Sequence, residues 1–201
     1  GAYLMSTGSS VAWNMPNRLN FLTVVPMFHC NGWCYPWTVP MLNGRTICLR
    51  NIDIKKIFEL IDKYEITHFG GAPIVLNMIT GAPESDKKKL KQKVYVLTAG
   101  APPPSIIFKK MRALGFEVMH VYGLTETYGH VTQCAWNDEW NNFDEEKQNE
   151  IKARQGVKYP NTEGVVVLDP ETMKEVPRDG KTIGEIMIRG NVVMKGYFKD
   201  K

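Results

Sequence analysis

From residue 19 to residue 124, short runs of apolar and β-branched residues alternate with segments of helical periodicity, and this alternation narrows the fold more than any other feature. Residues 19–25 end at Pro26 as a buried strand would, and 45–50 read as a second strand after a helix or loop through 35–42. The clearest helix spans 54–64, where Ile54, Ile57, Phe58 and Ile61 share one face and Lys55, Lys56, Glu59, Asp62 and Lys63 the other. Asp53 is its expected N-cap, and Glu59 with Lys63 forms a favourable pair four residues apart. Residues 66–69 give a further strand, broken by Gly70-Gly71, and Pro73 opens a helix to about Thr80. The pattern repeats with a strand at 94–97, a loop at 98–104, and a helix carrying Ile106, Ile107, Met111 and Leu114 that Gly115 closes. A strand at 116–121 then runs into Tyr122-Gly123-Leu124-Thr125-Glu126-Thr127.

Such alternation predicts the α/β class, a parallel sheet with helices on both faces. In these sheets ligands bind beyond the carboxyl ends of the strands. The loops at 98–104 and 122–127 follow successive strands at that edge, so neighbouring strands would turn both loops toward one crevice. Beyond this core, 136–152 is polar and acidic with Trp140 and Phe143 among the charges, which suggests a surface helix or excursion. From Val157 the pattern is β-rich, with strands at 164–168 and 184–189 and turns at Asp169-Pro170-Glu171 and Pro177-Arg178-Asp179-Gly180. The expected division is an α/β core over 1–156 and the start of a β-rich subdomain over 157–201.

Composition removes other classes. With 43% hydrophobic and 23% charged residues the chain has the balance of a globular protein, and its apolar runs fall far short of the roughly 20 residues that span a bilayer. The net charge is +4, and its densest run, Lys87, Lys88, Lys89, Lys91 and Lys93, carries no interleaved aromatics. That run reads as a solvated face, which argues against nucleic acid as a partner. Cys30, Cys34, Cys48 and Cys134 lie in or beside apolar segments, as reduced thiols of a cytoplasmic protein do. His29, Cys30 and Cys34 lack the paired C-x₂-C spacing of structural zinc sites.

The local chemistry centres on Thr125 and Glu126. A hydroxyl beside a carboxylate at a strand end suits a phosphate and the Mg²⁺ that accompanies it, since Mg²⁺ usually takes one or two carboxylates plus phosphates. Gly123 lets backbone approach a ligand. On local chemistry alone, Thr125 capping a following helix with Glu126 in its first turn explains the same residues.

The wider constellation distinguishes these readings. Pro26-Met27-Phe28-His29-Cys30-Asn31-Gly32-Trp33, Ala99-Gly100-Ala101-Pro102, Val121-Tyr122-Gly123-Leu124-Thr125-Glu126, Arg154-Gln155-Gly156-Val157 and Gly184-Glu185-Ile186-Met187-Ile188-Arg189-Gly190 stand in that order along the chain. In motifs and order the chain resembles the adenylate-forming superfamily, most of all its fatty-acyl and plant-type acyl-activating CoA ligases. The resemblance implies an enzyme that joins a carboxylic acid, fatty or aryl, to ATP as acyl-AMP and passes the acyl group to CoA, with Mg²⁺ as cofactor.

Position by position, the resemblance implies that Thr125 binds the α-phosphate and Glu126 the Mg²⁺, with Gly100, Ala101 and Pro102 and the Tyr122 ring forming the adenine slot beside Gly123. His120 stands where many relatives carry Asn or Gln for the adenine amine. His29 would sit next to the attacking carboxylate, with Gly32, Trp33 and Gly156 lining the acyl pocket. The family's phosphate loop, its ribose-binding Thr-Gly-Asp and its C-terminal domain with a catalytic lysine have no match here. The expectation is therefore an internal segment of a longer ligase, inactive by itself. A non-catalytic nucleotide-binding or interaction module retaining the fold is the alternative.

Overall fold

The computed structural model describes residues 1–200. A first helix, α1 (Ala2–Ala12), precedes the strand β1 (Asn20–Thr23). The helical turn α2 (Cys30–Trp33) and the helix α3 (Tyr35–Met41) lead to β2 (Arg45–Cys48). Then follow α4 (Ile54–Tyr64), β3 (His68–Gly70), α5 (Pro73–Gly81), β4 (Val94–Thr98), α6 (Ser105–Ala113) and β5 (Phe116–Leu124). The remainder is β6 (Gly129–Gln133), α7 (Glu145–Lys152), β7 (Val157–Lys158), β8 (Gly164–Leu168) and β9 (Glu185–Arg189).

Seven strands form one sheet in the order β2-β1-β3-β4-β5-β6-β7. The five from β2 to β5 run parallel, as expected, but β6 pairs antiparallel with β5 and β7 antiparallel with β6, so the sheet is mixed. The reason lies in the Thr125 segment, where a single 3₁₀ turn (Thr125–Thr127) reverses the chain directly into β6. The helix that Thr125 was expected to cap does not form there. Residue 157, the expected start of the second region, falls on β7 and joins the large sheet; the separate sheet, the β8-β9 hairpin, begins at Gly164. Its turns are built as the sequence suggests, with Asp169 and Asp179 each accepting backbone N–H groups from the residues that follow.

Strand alternation distributes the core between both faces of the sheet. Leu22, Val96 and Val118 pack with Ile57, Phe58 and Ile61 of α4, with Leu76 of α5 and with Met111 of α6. Phe21, Leu97 and Val121, their neighbours of opposite phase, pack with Trp13 and Trp33 and with Tyr35 and Val39 of α3. Helix α4 forms where its periodicity places it, and Asp53 Oδ1 accepts from Lys56 N at 2.9 Å as its N-cap. The surface pairing differs from expectation. Glu59 pairs with Lys56 at 3.2 Å, and the Lys63 ammonium lies 5.0 Å from the centroid of the Tyr64 ring. On α6 the buried face is Ile107, Phe108 and Met111, with Ile106 turned outward.

Among the described residues no helix is long and apolar enough to cross a membrane, and all four cysteines are free.

Candidate active site

The carboxyl ends of β1, β4 and β5 converge on one cavity of about 220 Å³. Strand β1 lies between β2 and β3, so the chain leaves it toward one side and continues on the other. That reversal opens a crevice at the strand ends.

From β1 the chain delivers His29, Cys30 and Trp33 to this cavity through an unusual turn. Cys30, Asn31, Gly32, Trp33 and Cys34 all have positive φ, at 40°, 46°, 60°, 54° and 67°. A left-handed turn costs roughly 1–2 kcal/mol per non-glycine residue, and such strain persists only where the surroundings over-determine it. Here they do. The Trp33 ring covers the end of β3 so closely that a Cβ on Gly70 would stand 3.0 Å from it. Three side-chain bonds tie the segment to the β5-β6 reversal: Cys30 Sγ lies 3.3 Å from Thr125 Oγ1, the Cys34 thiol donates to Tyr128 O at 3.2 Å, and Trp37 Nε1 donates to Tyr128 Oη at 3.1 Å. Burial pushes the Cys34 thiol up to about 12, so it stays protonated.

From β4 come Ala99 and Gly100, the latter at φ 93°. From the reversal come Gly123, Leu124, Thr125 and Glu126, and from β6 Gly129 and His130. Parallel pairing of β4 with β5, Thr98 opposite His120, sets the two loops side by side as the sequence implied. Thr127 fixes the turn, its hydroxyl accepting from Leu124 N at 3.1 Å and lying 2.9 Å from Gly129 O. Gly123 serves the reversal itself, because a Cβ there would stand 1.9 Å from Gly129 O.

Thr125 is exposed and Glu126 half-buried at the mouth. No lysine or arginine pairs with Glu126 among the described residues; its Oε1 accepts from the Tyr197 hydroxyl, and its carbonyl accepts from Met194 N at 2.7 Å. The phenol beside it holds its carboxyl below the usual carboxylate range. A single carboxylate free of cationic partners, next to a hydroxyl, is a donor set that suits Mg²⁺ arriving with a phosphate. Among the described residues no group of three or more His, Cys, Asp and Glu side chains is arranged to hold a metal by itself.

Deeper in the cavity, Trp33 and His130 meet edge to face at 5.5 Å and are both buried. Burial lowers His130 to about 4, leaving a neutral imidazole at neutral pH.

Thr125, Glu126, His29, Trp33, Gly100 and Gly123 thus come together, and Ala101 and Pro102 sit exposed on the same loop as Gly100. Tyr122 is half-buried on β5, opposite Thr132 of β6. The structure does not bring the remaining expected residues to the cavity. His120 is buried, and its Nδ1 donates to Ala153 O at 2.8 Å. Gly32 is buried against Met27 and Pro36. Gly156, at φ 77°, lies against Gln133 and Cys134 and lines a separate surface cleft with Val165, Val166 and Val167. Cys30, Leu124, Gly129, His130 and Tyr197 were missed. Gly129 and His130 carry a signal only once the antiparallel return of β6 is known, and Tyr197 is joined to Glu126 solely by the tertiary fold.

Known proteins share this architecture. The N-terminal domain of FACL13 from Mycobacterium tuberculosis superposes with a TM-score of 0.79 at 22% identity, covering 99% of this chain and 47% of that one. The o-succinylbenzoate coenzyme A synthetase MenE of Bacillus subtilis, solved with ATP and magnesium ion, gives 0.79 at 20% identity over 99% of this chain and 38% of its own. At these identities the likeness establishes the fold, that of the adenylate-forming N-terminal domain. In sequence, the chain is 50% identical to the peroxisomal acetate/butyrate–CoA ligase AAE7 of Arabidopsis thaliana and 51% identical to the acetate–CoA ligase CCL3 of Humulus lupulus. Each match covers 100% of this chain and 35% of the relative, so the chain spans about a third of the length of these relatives. With a profile for AMP-binding enzymes matching residues 2–198, the chain belongs to the AMP-binding enzyme family.

Proposed function

We propose that the chain carries the adenylate site of an AMP-forming acid–thiol ligase, which activates a carboxylic acid with ATP and transfers it to CoA. The observation that supports this most is the convergence of His29, Gly100, Thr125 and Glu126 on one cavity at the carboxyl ends of β1, β4 and β5. In this reading the Thr125 hydroxyl donates to an oxygen of the α-phosphate, and the Gly100 loop with Ala101, Pro102, Tyr122 and Gly123 receives the nucleoside. His29 borders the carboxylate that attacks the α-phosphorus in line. Glu126 holds Mg²⁺, which when bound neutralises charge spreading over the phosphate oxygens. Pyrophosphate leaves, and the CoA thiol then displaces AMP from the acyl carbon.

The acid belongs to the fatty or aryl class. The relatives named for acetate and butyrate, and the walling of the cavity by the buried Trp33 and His130 rings, favour the short-chain end of that range. The free thiols favour a reducing compartment, read here as the cytoplasm, although AAE7 is described as peroxisomal.

The test is release of pyrophosphate from ATP and Mg²⁺ across acetate, medium-chain, long-chain and aromatic acids, by a polypeptide of the relatives' length that contains these residues. Glu126→Gln should cut the rate at least about tenfold, and the 201-residue chain alone should release none. A Glu126→Gln variant with undiminished acid-dependent release overturns the reading.

A further inference from the structure

Glu126 is held at two points by a single remote segment. Its main-chain carbonyl accepts from Met194 N at 2.7 Å, and its carboxylate Oε1 accepts from the Tyr197 hydroxyl. That segment is itself anchored: Val192 is 3% exposed and packs with Met5, Cys34 and Tyr159. The chain leaving the β8-β9 hairpin therefore crosses back to the cavity mouth, where Tyr197 meets the carboxylate.

We propose that Tyr197 is a positioning residue for Glu126, holding one carboxylate oxygen so that the other is presented to the Mg²⁺ of a bound magnesium–nucleotide. The proposal rests on the reading of Glu126 as the metal ligand. A glutamate side chain at a surface mouth has three rotatable bonds, and ordering it at the moment of binding costs conformational entropy. A hydrogen bond already in place removes part of that cost, which is the general benefit of preorganisation. Ligating carboxylates are typically hydrogen-bonded in turn, and losing such a partner typically weakens metal affinity by about 10- to 100-fold. Tyr197 suits the role. Its hydroxyl donates to Glu126 Oε1, and its ring is largely exposed at 58%, so removing the hydroxyl alone leaves the packing intact.

The test is calorimetric titration of the chain with α,β-methylene-ATP, a non-hydrolysable analogue, in excess Mg²⁺ and again in EDTA, for the wild type, Tyr197→Phe and Glu126→Gln. Thermal unfolding of each variant is recorded beside it. The wild type should bind more tightly with Mg²⁺ than without. Tyr197→Phe should keep the EDTA affinity and lose about tenfold in Mg²⁺, while Glu126→Gln should lose the Mg²⁺-dependent gain altogether. Unchanged or tighter binding of Tyr197→Phe in Mg²⁺ overturns the proposal, the tighter case showing that the phenol competes with the metal. An equal loss in Mg²⁺ and EDTA also overturns it, leaving Tyr197 a purely structural contact. A wild type that binds in EDTA but gains nothing from Mg²⁺ instead removes the reading of Glu126 as a metal ligand, and the role of Tyr197 falls with it.

Discussion

Gly123 and Gly156 are each required by backbone that approaches them closely. A Cβ at Gly123 would stand 1.9 Å from Gly129 O, and one at Gly156 would stand 2.0 Å from Gln133 O, with φ already at 77°. Neither acceptor belongs to a side chain that can swing away. Replacement of either by alanine should therefore destabilise the chain by about 3 kcal/mol or more in a denaturant titration. Gly81, the last residue of α5, has open space around its Cβ position and an ordinary φ. There alanine should stabilise by about 0.4–1 kcal/mol, and equal effects at all three positions would contradict this account. Thr125 and Glu126 were singled out as a candidate phosphate and metal pair by the motif order rather than by local chemistry, which a helix cap explains equally well. The need for Gly123 was legible only as a freedom, since the atom it makes room for lies across a hairpin the sequence did not announce. His120 carried no such local signal: its Nδ1 donates to Ala153 O at 2.8 Å, a contact that only the tertiary fold makes.

Among the elements, α4 was readable to the residue because its apolar positions recur with the helical period and Asp53 closes its start. Asp53→Ala should cost about 1 kcal/mol, read from the shift in urea midpoint, with little change in the slope of the transition. No loss would mean that the α4 cap is immaterial. Helix α1 escaped because its buried face is Met5, Ser6, Gly8 and Ser9 while Tyr3 and Val11 are exposed, so hydrophobicity does not mark the side that packs. Strand β6 escaped because its five residues are all buried and include His130, Thr132 and Gln133, which carry no apolar alternation. The turn at residues 30–34 was read for its residue types alone; its left-handed path follows from contacts with β3 and with the β5-β6 reversal. In each case the missing information is tertiary, and it is the same contact set that assembles the cavity.

For the whole molecule, packing on both faces of one sheet buries three imidazoles: His68 against Trp13 and Tyr95, His130 against Trp33 and Tyr159, and His120, which burial also lowers. Desolvation lowers His68 and His130 each to about 4 in the folded chain. The unfolded chain takes up these protons more readily, so the stability contributed is complete above the ordinary histidine value of about 6.5 and declines as pH falls toward 4. The loss is of order 3 kcal/mol for His68 and for His130. The unfolding temperature should therefore drop between pH 6.5 and 4.5, and His68→Phe, which preserves the aromatic packing, should clearly diminish that drop. A drop undiminished in His68→Phe would contradict burial of a neutral His68. The fold class was legible at this scale because each crossover to a parallel strand leaves a helical segment in the sequence, whereas the antiparallel return from β5 to β6 passes through a single 3₁₀ turn and leaves no such mark. The central claim, that the strand-end cavity is an adenylate site, is tested most directly by calorimetric titration of the chain with a non-hydrolysable acyl-AMP analogue beside the Thr125→Val variant. Saturable one-to-one binding that Thr125→Val weakens by about tenfold or more, the worth of a hydrogen bond to a charged group, is the predicted result. No binding in either protein, or equal binding in both, would contradict it.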